Sequence, residues 1–151
     1  MSIGQHDSRP RTCARILHVD DNAFGLSARK TILEELGYSV VAKSCPCLAL
    51  ECFSGERFDM VITDFRMPRM DGTALIAELR KRRSDIPVVL ISGFVDTLGL
   101  DEPTTGANAV IQKSAHEVHI MLRTVERLLA GKPPKKASGG SAPVARAAAA
   151  R

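Results

Sequence analysis

Two adjacent carboxylates, Asp20 and Asp21, close a short apolar run, ARILHV, and a third, Asp64, follows FDMVIT. A hydroxyl, Ser92, ends PVVLIS, and an ammonium, Lys113, follows NAVIQ. Each has an ordinary reading when taken alone. An acid after a strand usually caps the next helix, Ser92-Gly93 makes a turn, and a single lysine is solvated. Asp64 resists that reading, because the next helix starts about seven residues later. Brought together, the five groups define a chemistry. Three unpaired acids repel one another, and a hard divalent cation such as Mg2+ relieves the repulsion through oxygen ligands. With the cation in place, Asp64 would be able to act as a nucleophile toward a phosphoryl group. Ser92 would donate to one phosphoryl oxygen and Lys113 would neutralise another.

That gathering requires elements that end at one edge, and the pattern of the chain supplies them. Strands are expected over 14–19, 38–43, 58–63, 87–92 and 108–112. Helices are expected over 23–36, 45–53, 72–83 and 115–130, with cap candidates in Asp20-Asp21-Asn22, Ser44 and Asp71 and a stop at Gly37. Residues 94–107 contain Gly99, Pro103 and Gly106 and predict a short or irregular, mobile helix. Strands alternating with helices imply an α/β fold: a doubly wound, five-stranded parallel sheet with helices on both faces, flavodoxin-like, (βα)5. Such sheets collect their polar chemistry beyond the carboxyl ends of the strands, where the strand order reverses.

Composition sets the outer bounds. The chain has 151 residues, 44% hydrophobic and 25% charged, the balance of a single globular domain. No apolar run approaches the roughly 20 residues of a membrane helix, and the first residues lack a signal-peptide core, so the cytoplasm is the expected compartment. Residues 131–151 carry Lys132, Lys135, Lys136, Arg146 and Arg151 with no acid. Removing those five charges from the net +4 leaves about −1 for the rest. The domain is therefore near neutral, and no direct nucleic-acid binding is expected of it. The division is an N-terminal extension over 1–13, a domain over 14–130, and a basic Pro/Gly/Ala-rich tail over 131–151, disordered by composition and too short for an output domain. Cys13, Cys45, Cys47 and Cys52 lack metal-ligand spacing, and the four histidines are scattered.

HVDDN, ITDFRMPRMDG, VVLISGF and the lysine of AVIQK, in this order, resemble the receiver domain of two-component response regulators over about residues 14 to 130. The resemblance implies that Asp64 is the phosphoacceptor and that Asp20 and Asp21 hold Mg2+. It also implies that the backbone carbonyl of Arg66 is a third protein contact to the metal, that Ser92 is the switch hydroxyl, and that Lys113 is the phosphate-binding lysine. The implied partners are a sensor histidine kinase or histidine phosphotransferase and a downstream protein, with a homodimer left open. Without an output domain the expectation is a stand-alone receiver, no enzyme beyond its own phosphorylation and dephosphorylation. Two readings compete: a pseudo-receiver that docks without phosphorylation, and a haloacid-dehalogenase-type phosphatase. The second requires an acid two residues after Asp20, where Asn22 stands.

Two positions depart from the receiver pattern. Ser114 replaces the proline that follows the lysine, and Val110 replaces an aromatic switch residue on the fifth strand. A cis bond before a non-proline residue costs roughly 2.5–4 kcal/mol, so a trans Lys113-Ser114 peptide is expected. S-A-H-E, residues 114 to 117, reads as a capping box in which Ser114 and Glu117 close the start of the last helix.

Overall fold

Apolar alternation with a period of two sorts the strand residues onto two faces. Leu17, Val19, Val61, Val88 and Leu90 join one buried cluster, with Ala49, Phe53, Leu75 and Leu79 from two helices. Ile16, Met60, Ile62, Val89 and Ile91 join the other, with Leu33, Met121 and Val125 from the remaining two long helices. The computed structural model describes residues 14–131. The expectations for the 1–13 extension, Cys13 and nearly all of the tail fall outside them.

The strands are β1 (Arg15–Val19), β2 (Ser39–Lys43), β3 (Met60–Asp64), β4 (Val88–Ser92) and β5 (Ala109–Gln112). All pair in parallel in the order β2-β1-β3-β4-β5. The order reverses between β1 and β3, which puts a crevice at their carboxyl ends. The helices are α1 (Ala23–Glu35), α2 (Pro46–Gly55), α3 (Gly72–Arg82), α4 (Val95–Leu98), α5 (Glu102–Thr105) and α6 (Glu117–Leu129). The expected fold class is the observed one, and no described helix is long and apolar enough to cross a membrane.

Local signals worked where a side chain could reach a helix end. Asn22 caps α1 by accepting from the Gly25 amide, and Asp71 caps α3 by accepting from the Ala74 amide. Gly37 leaves α1 at φ 99°, a left-handed conformation that favours glycine. Residues 94–107 form the single turns α4 and α5, ended by Gly99 and Gly106 at φ 65° and 82°. Ser44 does not cap α2: Cys45 holds that position without a side-chain bond, and Pro46 starts the helix.

The capping box at Ser114 does not form either. Described peptides are all trans, as expected for Lys113-Ser114. The Ser114 hydroxyl accepts from the His116 amide, one residue short of its predicted donor at Glu117, and His116 becomes the N-cap. The Glu117 carboxylate points away to Arg29. A charge-assisted bond to a buried guanidinium is stronger than a neutral cap worth about 1 kcal/mol, and it wins.

His18, on β1, is the one buried histidine among the described residues. Its Nδ1 has no hydrogen-bond partner. Burial, then the positive charges of Arg29 and Lys113, lower its pKa from 6.5 to about 3. The folded value lies below the unfolded one, so the unfolded chain binds more protons on acidification. Stability from this group is whole above about pH 6.5 and declines as pH falls toward 3. The linkage predicts a loss of about 2 kcal/mol between about pH 7 and pH 5, where few carboxylates titrate. Denaturant midpoints measured across that interval should fall in the wild type and change much less in His18→Asn. Equal slopes would show that another group causes the loss.

Candidate functional site

The registers bring the strand ends level. Val19 pairs with Thr63, Asp64 with Ile91, and Ser92 with Gln112. The residues that end or follow β1, β3, β4 and β5 therefore meet at one edge. The Lys113 amide donates to the Ser92 carbonyl at 2.9 Å, which fixes the end of β5 against β4.

Asp20 and Asp64 are buried, while Asp21 is exposed. One oxygen from each of the three lies within 4.8 Å of the others. Closely spaced hard oxygens of this kind suit a small divalent cation. The expectation of three unpaired acids is corrected, however. Asp20 Oδ2 accepts from Arg29 Nη1 at 2.9 Å, and Asp64 Oδ1 is 3.0 Å from Lys113 Nζ. Two internal cations partly balance the acids. Even so, burial pushes the Asp64 carboxyl above the usual range; the Lys113 hydrogen bond opposes this and the Asp20 charge adds to it. The anion at Asp64 is held at a cost, as befits a reactive group.

The loop from β3 to α3 is stiff for identifiable reasons. Arg69 adopts φ 73°, unusual for a residue with a side chain, and the Met70 amide donates to the Pro68 carbonyl at 2.8 Å. The Gly72 amide donates to the Phe65 carbonyl at 2.7 Å, drawing the start of α3 against the residue after Asp64. Arg66 sits inside this loop with its guanidinium 4.3 Å from the centre of the Phe94 ring, a cation–π contact. It bridges the loops after β3 and β4. Ser92 is buried, and its hydroxyl accepts from the Phe94 amide at 3.0 Å. Val110 is partly buried against the core cluster of α2 and α3.

Asp20, Asp21, Asp64, Ser92 and Lys113 thus converge as expected, with Arg66 beside them. Arg29 and Glu117 were missed. Glu117 was assigned to a cap, and Arg29 was given no role. The available signal was Gly25, a glycine in the first turn of α1 four residues before the arginine. The three described cysteines are free thiols, and among the described residues the only group of acids, histidines or cysteines clustered tightly enough for a metal is the aspartate trio.

Comparison with known proteins agrees with this arrangement. The model of the response regulator receiver domain matches residues 16–124. The chain is 33% identical over 119 residues to the probable transcriptional regulator ycf27 of Porphyridium aerugineum, covering 75% of this chain and 48% of that protein. A ycf27 of Guillardia theta is 34% identical, with 77% and 46% covered. The chain thus spans about half the length of these curated relatives. Among solved structures, a CheY-like receiver protein of Methanospirillum hungatei superposes with a TM-score of 0.71 at 27% identity, covering 79% of this chain and 95% of that one. The response regulator TrrA of Thermotoga maritima, solved with Mg2+ and BeF, gives 0.64 at 27% identity, with 74% and 98% covered.

Proposed function

Because the chain belongs to the response regulator receiver family, we propose that it accepts a phosphoryl group on Asp64 from a phosphohistidine of a kinase or phosphotransferase and signals the change in charge to a protein partner. The observation that carries this reading is the pairing of the buried Asp64 with Lys113 within reach of Asp20 and Asp21. Mg2+ would be held by Asp20, Asp21, Asp64 and the backbone carbonyl of Arg66. When bound, it supplies positive charge that offsets the developing negative charge of the transferring group.

The residues divide the remaining work. Asp64 offers a carboxylate oxygen at the mouth of the crevice, already raised in energy by burial. Lys113 can move from the carboxylate to a phosphoryl oxygen without leaving the site. Among the described residues the Ser92 hydroxyl acts as an acceptor alone, from the Phe94 amide, which leaves its own proton for a phosphoryl oxygen. Turning that hydroxyl would pull on Phe94 and through it on Arg66. The fold and the family match favour this reading over the phosphatase alternative.

Beryllofluoride with Mg2+, a phosphoryl mimic, tests it against the docking-only reading. Amide resonances of residues 64, 92 and 113 should shift together on the full chain. A spectrum unchanged by the mimic would support a pseudo-receiver instead. Lys113→Ala should still bind the metal, while the shifts at residues 92–98 shrink to less than about half, since the lysine contact to the phosphoryl group is lost.

A further inference from the structure

Asp20 has no free oxygen on its carboxylate. Its Oδ1 accepts from the Asn22 amide at 2.9 Å, and its Oδ2 accepts from Arg29 Nη1 at 2.9 Å. The arginine does not end there. Its Nε donates to Glu117 Oε2 at 2.7 Å, and its Nη2 donates to the same oxygen. One guanidinium, with only 8% of its side chain exposed, ties the end of β1 to the first turn of α6, at a glutamate 88 residues beyond the arginine.

The position is built for this contact. A Cβ at Gly25 would stand 2.8 Å from Arg29 Nη1 and 3.1 Å from Asp20 Oδ2. Any side chain there would force the pair apart, so the glycine is what allows a helical arginine to reach the strand end. The ion pair therefore depends on two separate sequence choices, one turn apart on the same helix face.

We infer that Arg29 is an internal counter-cation of the metal pocket, one that lowers its affinity for a divalent ion and links metal occupancy to the start of α6 through Glu117. This rests on the metal-dependent reading above. With a divalent ion held at Asp20, that carboxylate would hold Arg29 less tightly, and the guanidinium would shift toward Glu117, its other acidic partner among the described residues. Arg29 is a positioning residue: it acts on the reacting groups through Asp20. The route also bypasses β5, where Val110 is too small to serve as a rotating gate.

Calorimetric titration of the full 151-residue chain with MgCl2 tests this, because two substitutions should move the affinity in opposite directions. Arg29→Gln removes the competing charge and should tighten Mg2+ about tenfold, the effect of one unit charge on a divalent ion through a watery dielectric. Glu117→Gln leaves Arg29 with Asp20 alone and should weaken Mg2+ by about threefold or more. Amide spectra add the second readout: Mg2+ should shift residues 117–120 in the wild type and not in Arg29→Gln. Should the glutamine variant fail to fold, Arg29→Lys keeps the charge but cannot span both carboxylates; its affinity should stay within about twofold of wild type while the shifts at 117–120 vanish. Wild-type affinity in Glu117→Gln and in Arg29→Gln where it folds, or shifts at 117–120 that persist without the guanidinium, would overturn the inference and leave the receiver reading standing. A wild-type chain that binds no Mg2+ would overturn the reading beneath it.

Discussion

Asp64→Asn should lose labelling by a small acyl phosphate by roughly two orders of magnitude or more, because a neutral amide oxygen is a poor nucleophile where a carboxylate is required. The same variant should remain folded. Burial already disfavours the charged form of Asp64, so a neutral isostere removes a desolvation cost along with the ion pair. Lys113, the partner left behind, is one-third exposed and can turn to water. The net change in stability should stay within about 1 kcal/mol. Chelation of divalent ions from the wild-type chain should depress labelling nearly as far. The assignment of Asp64 fails if the asparagine variant is labelled at the wild-type rate, or if chelation changes nothing.

The second large effect is structural. Gly72 sits at the start of α3, where a Cβ would lie 2.5 Å from the Asp64 carbonyl oxygen, 2.6 Å from Leu90 Cδ1 and 3.0 Å from the Phe65 Cα. Two of those three neighbours are backbone, so neither can swing aside. Overpacking of this kind costs about 1–3 kcal/mol where the surroundings can yield, and here they yield poorly. Gly72→Ala should lower stability by roughly 3 kcal/mol and the thermal midpoint by about 10 °C. It should also slow labelling, since the strain falls on the peptide that carries Asp64. Gly55 provides the contrast: it lies in α2 with nothing within 4 Å of its Cβ position. Gly55→Ala should be neutral or stabilising by about 0.5 kcal/mol. Equal effects of the two substitutions in a thermal melt would mean that the approach of α3 to β3 is looser than its geometry.

Features set by near neighbours were legible in the chain itself. The alternation that makes Leu17 and Val19 face one cluster and Ile16 the other is a property of consecutive residues in a strand, and so it shows in the sequence. Asp71 reaches an amide three residues away, and Gly37 meets its own backbone requirement. Asp20, Asp64, Ser92 and Lys113 could be placed at one edge because parallel topology constrains where strands end. Sequence also exposed the two departures from the receiver pattern, Ser114 and Val110.

Contacts between distant residues were decided only by the tertiary structure. Ser114 and Glu117 satisfy the spacing of a capping box, yet Glu117 bonds to Arg29 across 88 positions of sequence. No local rule could weigh a cap against a buried guanidinium whose location depends on how α1 and α6 pack on the sheet. His18 reads as one more polar residue until the fold buries it, strips it of water and brings the charges of Arg29 and Lys113 to bear on it. The three acids were expected to be unpaired because their counter-ions come from other elements: Arg29 from the second turn of α1 and Lys113 from beyond β5. Short-range pattern fixed the strands, the caps at Asn22 and Asp71 and the chemical types at the strand ends, but not the starts of α2 and α6. Charge pairing in the interior was fixed by packing, because in a low-dielectric pocket each ionised group is stable only beside the partner that the fold delivers to it.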